Sequence, residues 1–185
     1  MRTDSTRASS ATFAANRAQG AVRFSVHLQD GVTRRGDLHE SGSLRVRFPS
    51  PEQDGLSGVF VNTAGGIAGG DRFDIDITAG EGARLTLTTA AAEKVYRAPG
   101  AAAQLSIARK AESGAHLSWL PQETILFDRA RIVRRIDIDL AEDASLLLCE
   151  IVVFGRTAMG EKMLHGEFVQ EIGRASCRER VYGPV

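Results

Sequence analysis

The 185-residue chain has few aromatic residues, only two cysteines and no net charge. Aromatic residues make up 6% of the chain, which argues against a carbohydrate site because such sites rely on stacking surfaces. A net charge of zero supplies no general field to attract nucleic acid. Cys149 and Cys177 form no metal-type pair, which is typical of a protein from a reducing compartment. We therefore expect a cytoplasmic protein without a nucleic-acid partner.

Long apolar runs and familiar catalytic motifs are also missing. No run of 18 apolar residues occurs, so the sequence predicts no membrane span and no membrane partner. Residues 1–20 lack the apolar core of a secretory signal, and we expect them to form a flexible arm. The chain contains no phosphate-binding loop, no zinc motif and no serine nucleophile motif. We therefore predict no catalytic residue, no stable metal site and no tightly bound cofactor.

The last fifteen residues differ from the sequence before them. Residues 171–185 contain closely spaced arginines and continue neither a strand nor a helix pattern. They resemble the translation of a sequencing adapter, so we expect a non-native tail. The native β domain is then expected to span residues 21–170 and to be incomplete at its C-terminus.

An internal repeat is the main indication of the fold. Three segments align without gaps, and they are Phe73–Leu85, Leu105–Leu117 and Arg134–Leu146. Each contains an Ile eight residues before an Ala, and a Leu two residues after that Ala. Each copy alternates apolar and polar residues, passes a polar turn and enters a second apolar stretch, which indicates strand, turn and strand.

Copies of this kind cannot bury their apolar faces alone and must stack on one another. We therefore predict an all-β fold of stacked β-hairpin repeats, solenoid-like, with one or two short helices. Ordinary hairpins of a β-sandwich are the alternative. The two helix predictions cover Thr88–Arg97, where alanines follow a Thr cap, and Thr157–Met163.

A glycine-rich segment lies between two predicted strands. Asn62–Asp71 contains Gly65, Gly66, Gly69 and Gly70 and ends in an acid. A phosphate-binding loop would lead into a helix, whereas a strand follows here. The composition therefore predicts a tight structural corner rather than a nucleotide site.

Two pairs of acids alternate along predicted strands, Asp74 with Asp76 and Asp137 with Asp139. Alternation places each pair on one face of a strand. That face is either the solvated side of a sheet or a row of oxygen ligands for a divalent ion.

Glu150 begins an apolar stretch and is expected to be buried. A buried acid needs a partner or a shifted pKa. Arg156 and Lys94 are the candidate partners. The result is either an internal ion pair or part of a polar lining within the β core, such as an ion path.

Four ordered blocks carry a family resemblance. They are Asn62–Asp71, Thr88–Arg97, Trp119–Asp128 and Glu150–Glu161. Together they resemble the signature blocks of the urease accessory protein UreD family, called UreH in some organisms. The resemblance covers about residues 21–170, and family members are considerably longer.

The resemblance implies a non-enzymatic role and a mostly β, stacked fold. Proteins of this family bind apo-urease with UreF, and UreG through UreF, and help deliver nickel to the urease active site. A polar internal passage has been proposed as the nickel route, so transient nickel contact is expected. Asp71, Glu93 and Glu150 are the hypothesised contacts. The other polar residues carried over from the family blocks are Lys94, Tyr96, Arg97, Gln122, Asp128, Arg156 and Glu161.

Two other classes of function remain open. One is a β-stack module that binds a small molecule or a carbohydrate. The other is an enzyme that uses the paired acids with a metal ion, although no catalytic motif supports it.

Overall fold

The structure, a computed structural model, describes residues 17–49 and 55–175, which are mostly strands joined by turns. The strands are β1 Gln19–Gln29, β2 Val32–Gly42, β3 Leu44–Arg47, β4 Leu56–Asn62, β5 Arg72–Ala79, β6 Arg84–Thr89, β7 Glu93–Val95, β8 Ala103–Ala111, β9 His116–Trp119, β10 Thr124–Leu126, β11 Arg131–Leu140, β12 Ser145–Leu148, β13 Val152–Phe154 and β14 Glu167–Ala175. One 3-10 turn covers Thr157–Met159. These elements confirm the all-β prediction.

The strands form three sheets that share one winding path. The orders are β14-β11-β8-β5-β1-β2, β12-β9-β6-β4-β3 and β13-β10-β7. Coils β5–β7, β8–β10 and β11–β13 each contribute one strand to each sheet, and β14 begins the next coil. Successive coils pair in parallel, which confirms the stacked, solenoid-like arrangement.

The sequence repeat coincides with the register of the stacked coils. Ile107 pairs with Ile75 on one side and Ile136 on the other. Leu117 is placed in the same way between Leu85 and Leu146. The two strands of a copy lie in different sheets, so the polar turn joins two sheets rather than two strands of one hairpin.

The alternation of the strands places the core between the sheets. Ile75, Ile107 and Ile136 belong to the inner faces and are buried. Antiparallel pairs β1–β2 and β3–β4 lie at the N-terminal end of the stack, where β1 and β4 continue the sheets in parallel with β5 and β6. The first coil is therefore covered on one side.

The helix predicted over Thr88–Arg97 is wrong. β6 continues to Thr89, and after a short bend β7 occupies Glu93–Val95. Pairing of β7 with β10 in the third sheet outweighs the local helix propensity of the alanines. The second predicted helix, Thr157–Met163, is reduced to the single 3-10 turn at Thr157–Met159.

The boundaries predicted near the two ends of the domain stay predictions. β1 begins at Gln19, within the predicted arm. β14 continues past residue 171 and pairs with β11 up to Ala175. Residues 1–16 and 176–185 lie outside the described residues.

Replacement of Leu117 by Ala should show how much the stacked core contributes. Leu117 is fully buried in the middle coil, whereas Leu147 on the last strand of the same sheet is 50% exposed. Leu117→Ala should lower the free energy of unfolding by about 3 kcal/mol because it leaves a cavity between neighbouring coils. Leu147→Ala, the matched control, should cost less than about 1 kcal/mol. Urea denaturation measures both, and equal losses would contradict a core centred on the middle coil.

Candidate functional site

A cavity of about 400 Å³ lies in the interior, among the three sheets. Most of its wall is apolar, formed by Leu44, Phe60, Ile67, Phe73, Ile75, Leu105, Ile107 and Trp119. Its polar wall includes Asn62, Glu93, Thr124, Arg134 and Glu150. The exposed residues Ala90, Ala91 and Gln122 also line it, so the cavity communicates with solvent between the turn after β6 and the segment after β9.

Glu93 lies on β7, in register with Thr124 of β10, which also lines the cavity. The amide nitrogen of Asn62 donates to its two carboxylate oxygens at 3.3 and 3.4 Å, and to the carbonyl of Gly66 at 3.0 Å. Burial raises the pKa of Glu93 from 4.5 to about 7, against the opposing effect of hydrogen bonds from Asn62 and the Lys94 backbone. Glu93 can therefore exchange a proton near neutral pH.

Glu150 lies on another wall and is fully engaged. Arg134 Nη2 donates to Glu150 Oε2 at 2.8 Å, and both side chains are more than 90% buried. Gln170 Nε2 donates to the same oxygen at 3.2 Å, and Trp119 Nε1 donates to Oε1 at 3.2 Å. Glu150 therefore forms an internal ion pair and also lines the cavity, whereas the ion path stays a prediction.

The partner of Glu150 differs from the sequence prediction. Arg156 instead pairs with Glu161 at 2.6 Å, and Lys94 lies exposed on β7. Arg134 was missed, although it breaks the apolar inner row between Ile132 and Ile136. Arg109 was also missed, although it too occupies an inner position of an alternating strand. An arginine at an inner position of an alternating strand is the signal that could have revealed both.

Asp71 lies apart from the cavity wall. It is 97% buried, and its two oxygens accept the backbone N–H groups of Ala18 at 2.9 Å and Ala68 at 2.7 Å. These bonds join the end of the glycine-rich loop to the segment that enters β1. The structure therefore brings Glu93 and Glu150 to one cavity but does not place Asp71 there.

The glycine-rich loop packs directly against β7 and the segment that follows it. A Cβ on Gly66, whose φ is +149°, would lie 2.5 Å from the Tyr96 ring. A Cβ on Gly69 would lie 2.5 Å from the Cβ of Ala98. The Tyr96 hydroxyl donates to the carbonyl of Gly65 at 2.8 Å. Glycine is thus needed where two backbone segments approach closely.

Gly70 completes the loop, and its φ is +86°, a value that favours glycine. Lys94 and Gln122 contribute to the cavity lining near its opening. Arg97 is exposed and forms a single antiparallel bridge with Ala130.

Three polar residues of the family blocks support the end of the third sheet. Asp128 accepts the backbone N–H groups of Leu164 at 2.9 Å and His165 at 3.1 Å. Arg156 pairs with Glu161, and its guanidinium lies 4.4 Å from the centre of the Phe127 ring. None of these three polar residues lines the cavity.

The paired acids of the strands carry mainly surface ion pairs. Asp76 pairs with Arg23 at 3.0 Å, and Asp137 pairs with Arg135 at 3.0 Å. Within residues 17–49 and 55–175, no group of three His, Cys, Asp or Glu side chains could hold a metal ion. No helix in that part of the chain is long and apolar enough to cross a membrane.

The fold and the cavity define a class of protein: a stack of parallel β coils with an internal, mostly apolar cavity that carries two carboxylates. Comparison with known families identifies the class more closely. The model for the UreD urease accessory protein family matches residues 18–176. The chain belongs to this family, whose name describes an accessory protein rather than an enzyme.

Curated relatives are similar over most of the chain. The urease accessory protein UreD of Bradyrhizobium diazoefficiens is 79% identical over 160 residues, which cover 86% of this chain and 58% of the relative. UreD 1 of Bradyrhizobium sp. ORS 278 is 75% identical over 169 residues, 91% of this chain and 61% of the relative. The chain thus spans about three-fifths of the length of these relatives.

The raised pKa of Glu93 predicts how stability depends on pH. Between pH 4.5 and about 7 the folded protein holds this proton more tightly than the unfolded chain does. The contribution of protonated Glu93 to the free energy of unfolding is therefore lost as the pH rises through this range. Glu93→Gln should remove that loss, on the order of 2 kcal/mol between pH 5 and pH 8.

Urea denaturation at both pH values measures the effect. Glu142→Gln, at an exposed turn, serves as the control and should follow the unmodified protein. A Glu93→Gln protein with the same pH dependence as the unmodified one would show that this carboxyl is solvated.

Proposed function

We propose that this chain acts in urease maturation as a non-enzymatic scaffold. It binds apo-urease together with UreF, and UreG through UreF, and helps to deliver nickel to the urease active site in the cytoplasm. Membership of the UreD urease accessory family over residues 18–176 is the observation that carries this proposal. The absence of a phosphate-binding loop from the sequence agrees with nucleotide chemistry being performed by a partner.

The cavity is the proposed site of transient nickel contact. Nickel accepts imidazole and carboxylate ligands, and two carboxylates, Glu93 and Glu150, line this cavity. Glu150 already bonds to Arg134, Gln170 and Trp119, whereas Glu93 has the weaker contacts from Asn62. Glu93 is therefore the first contact for the cargo. Asp71 supports the glycine-rich loop, so its effect on nickel transfer is indirect.

The carboxylates suit passage better than storage. No third acid or histidine joins them among the described residues to complete a stable coordination set. A cation held by one carboxylate and water leaves readily. In this proposal nickel is cargo for the protein and not a resident cofactor.

A second candidate function follows from the wall of the cavity. The cavity is large enough for a small organic molecule, and most of its lining is apolar. A small-molecule binding module would use the same cavity, with Glu93 as the polar contact. A carbohydrate is a poorer ligand because Trp119, Phe60 and Phe73 are the cavity's aromatic residues and they contribute to the packed core.

Co-expression capture tests the scaffold role. The 185-residue chain is compared with a chimera in which residues 18–176 are joined to the remaining C-terminal part of the Bradyrhizobium diazoefficiens relative. Each is expressed with apo-urease, UreF and UreG from that organism, and complexes are purified through urease. Capture of the chimera is expected. A folded chimera that captures neither urease nor UreF would contradict the scaffold role and favour the small-molecule module.

Urease activation tests the nickel contact. In the chimera, replacement of Asp71, Glu93 and Glu150 by Asn or Gln should lower activation by about tenfold while capture of urease survives. Glu93→Gln alone should account for most of the loss, and the exposed Glu142→Gln is the control. Activity per urease-bound nickel distinguishes poor delivery from poor catalysis. Unchanged activation in the triple variant would refute the route through this cavity.

A further inference from the structure

Arg109 is a buried cation inside the apolar core. It lies on the inner face of β8, in register with Ile77 on β5 and Ile138 on β11, and is 1% exposed. None of its three guanidinium nitrogens has a hydrogen-bond partner among the described residues. Burial lowers the pKa of Arg109 to about 10, so it still carries its charge at neutral pH.

Arg109 stacks on a residue of the cavity wall. The guanidinium carbon lies 4.4 Å from the centre of the Trp119 ring. Trp119 lines the cavity and donates from its indole N–H to Glu150, whereas Arg109 does not line the cavity. Attraction to Glu150 favours the charged form of Arg109, and repulsion from Arg134 opposes it. Arg109 thus lies behind Trp119, in electrostatic contact with the ion pair at the wall.

The charges at this wall do not cancel. Arg109 and Arg134 carry two positive charges, and Glu150 supplies one negative charge. In the interior, charges are screened less than at the surface, so the surplus acts across the indole on any ion in the cavity. A purely structural role would be served better by an apolar residue, as at Ile77 and Ile138.

We propose that Arg109 is a positioning residue that keeps the affinity of the cavity for a divalent cation low, so that the cation is released and not trapped. This inference rests on the proposed passage of nickel. The surplus positive charge opposes a bound cation near Glu150, and stacking on Trp119 holds the indole N–H against that carboxylate. Arg109 itself does not touch the cargo.

Nickel titration of the tag-free 185-residue chain tests the inference. Trp119 is the only tryptophan, so its fluorescence reports binding at the cavity, and equilibrium dialysis provides an independent measurement. Nickel binding measured for the Glu93→Gln protein is subtracted, which removes the contribution of the scattered histidines. Arg109→Met should bind nickel about tenfold more tightly, because one positive charge near the cavity is gone. Its melting temperature should equal or exceed that of the unmodified protein.

Matched variants separate charge from packing. Arg109→Lys retains the charge and should bind nickel nearly as weakly as the unmodified protein. Arg135→Met removes a positive charge from the outer face of β11, where Arg135 is 63% exposed, and should change the affinity less than twofold. Arg109→Gln is a second neutral variant and should bind as Arg109→Met does, which preserves the test if the Met variant does not fold.

The outcomes separate this inference from the proposed function. Unchanged or weaker nickel binding by the folded neutral variant would overturn the role of Arg109. If Glu93→Gln lowers urease activation in that case, the nickel route stands and only the role of Arg109 fails. If tighter binding by Arg109→Met is accompanied by lower activation, release from the cavity limits delivery. If Glu93→Gln leaves activation intact, the route itself fails, whatever the affinities are.

Discussion

Parallel, in-register stacking of the coils is the constraint on which the rest of the structure depends. Each inner strand is paired on both sides, so equivalent residues of successive coils align in rows. The row of Ile75, Ile107 and Ile136 shows why the repeat must keep the same residue type at the same position. A polar side chain in such a row points into the core between the sheets rather than into water, and it therefore needs a partner or a function.

Around one region, charged residues interrupt the rows of apolar residues. Arg134 replaces an apolar residue beside Leu105, Arg109 lies between Ile77 and Ile138, and Glu93 precedes the inner Val95. Arg134 and Glu93 line the cavity directly, and Arg109 reaches it through Trp119. The charged residues of the core are thus concentrated around the cavity. This concentration links the fold to the proposed site more closely than any single motif does.

The period of the repeat was sufficient to predict the stack, because in-register stacking makes equivalent positions recur. The helix predicted over Thr88–Arg97 was wrong because β7 gains its hydrogen bonds from β10, which is distant in sequence. The pairing of Glu150 with Arg134 was missed for a related reason. Their contact crosses from the six-stranded sheet to the segment after β12, and only the three-dimensional winding brings them together. Local sequence therefore identified Glu150 as a buried acid but not Arg134 as its partner.

The proposed nickel route crosses a mostly apolar cavity, and the contacts of its two carboxylates bear on how such a route would work. Glu150 is already neutralised by Arg134, and Glu93 is partly protonated near neutral pH. A wall of free carboxylates would hold a metal ion strongly, whereas an apolar wall alone would exclude it. Carboxylates that exchange their arginine or their proton for the ion give affinity between these limits. Weak affinity in such a cavity is the property that the proposed delivery role requires.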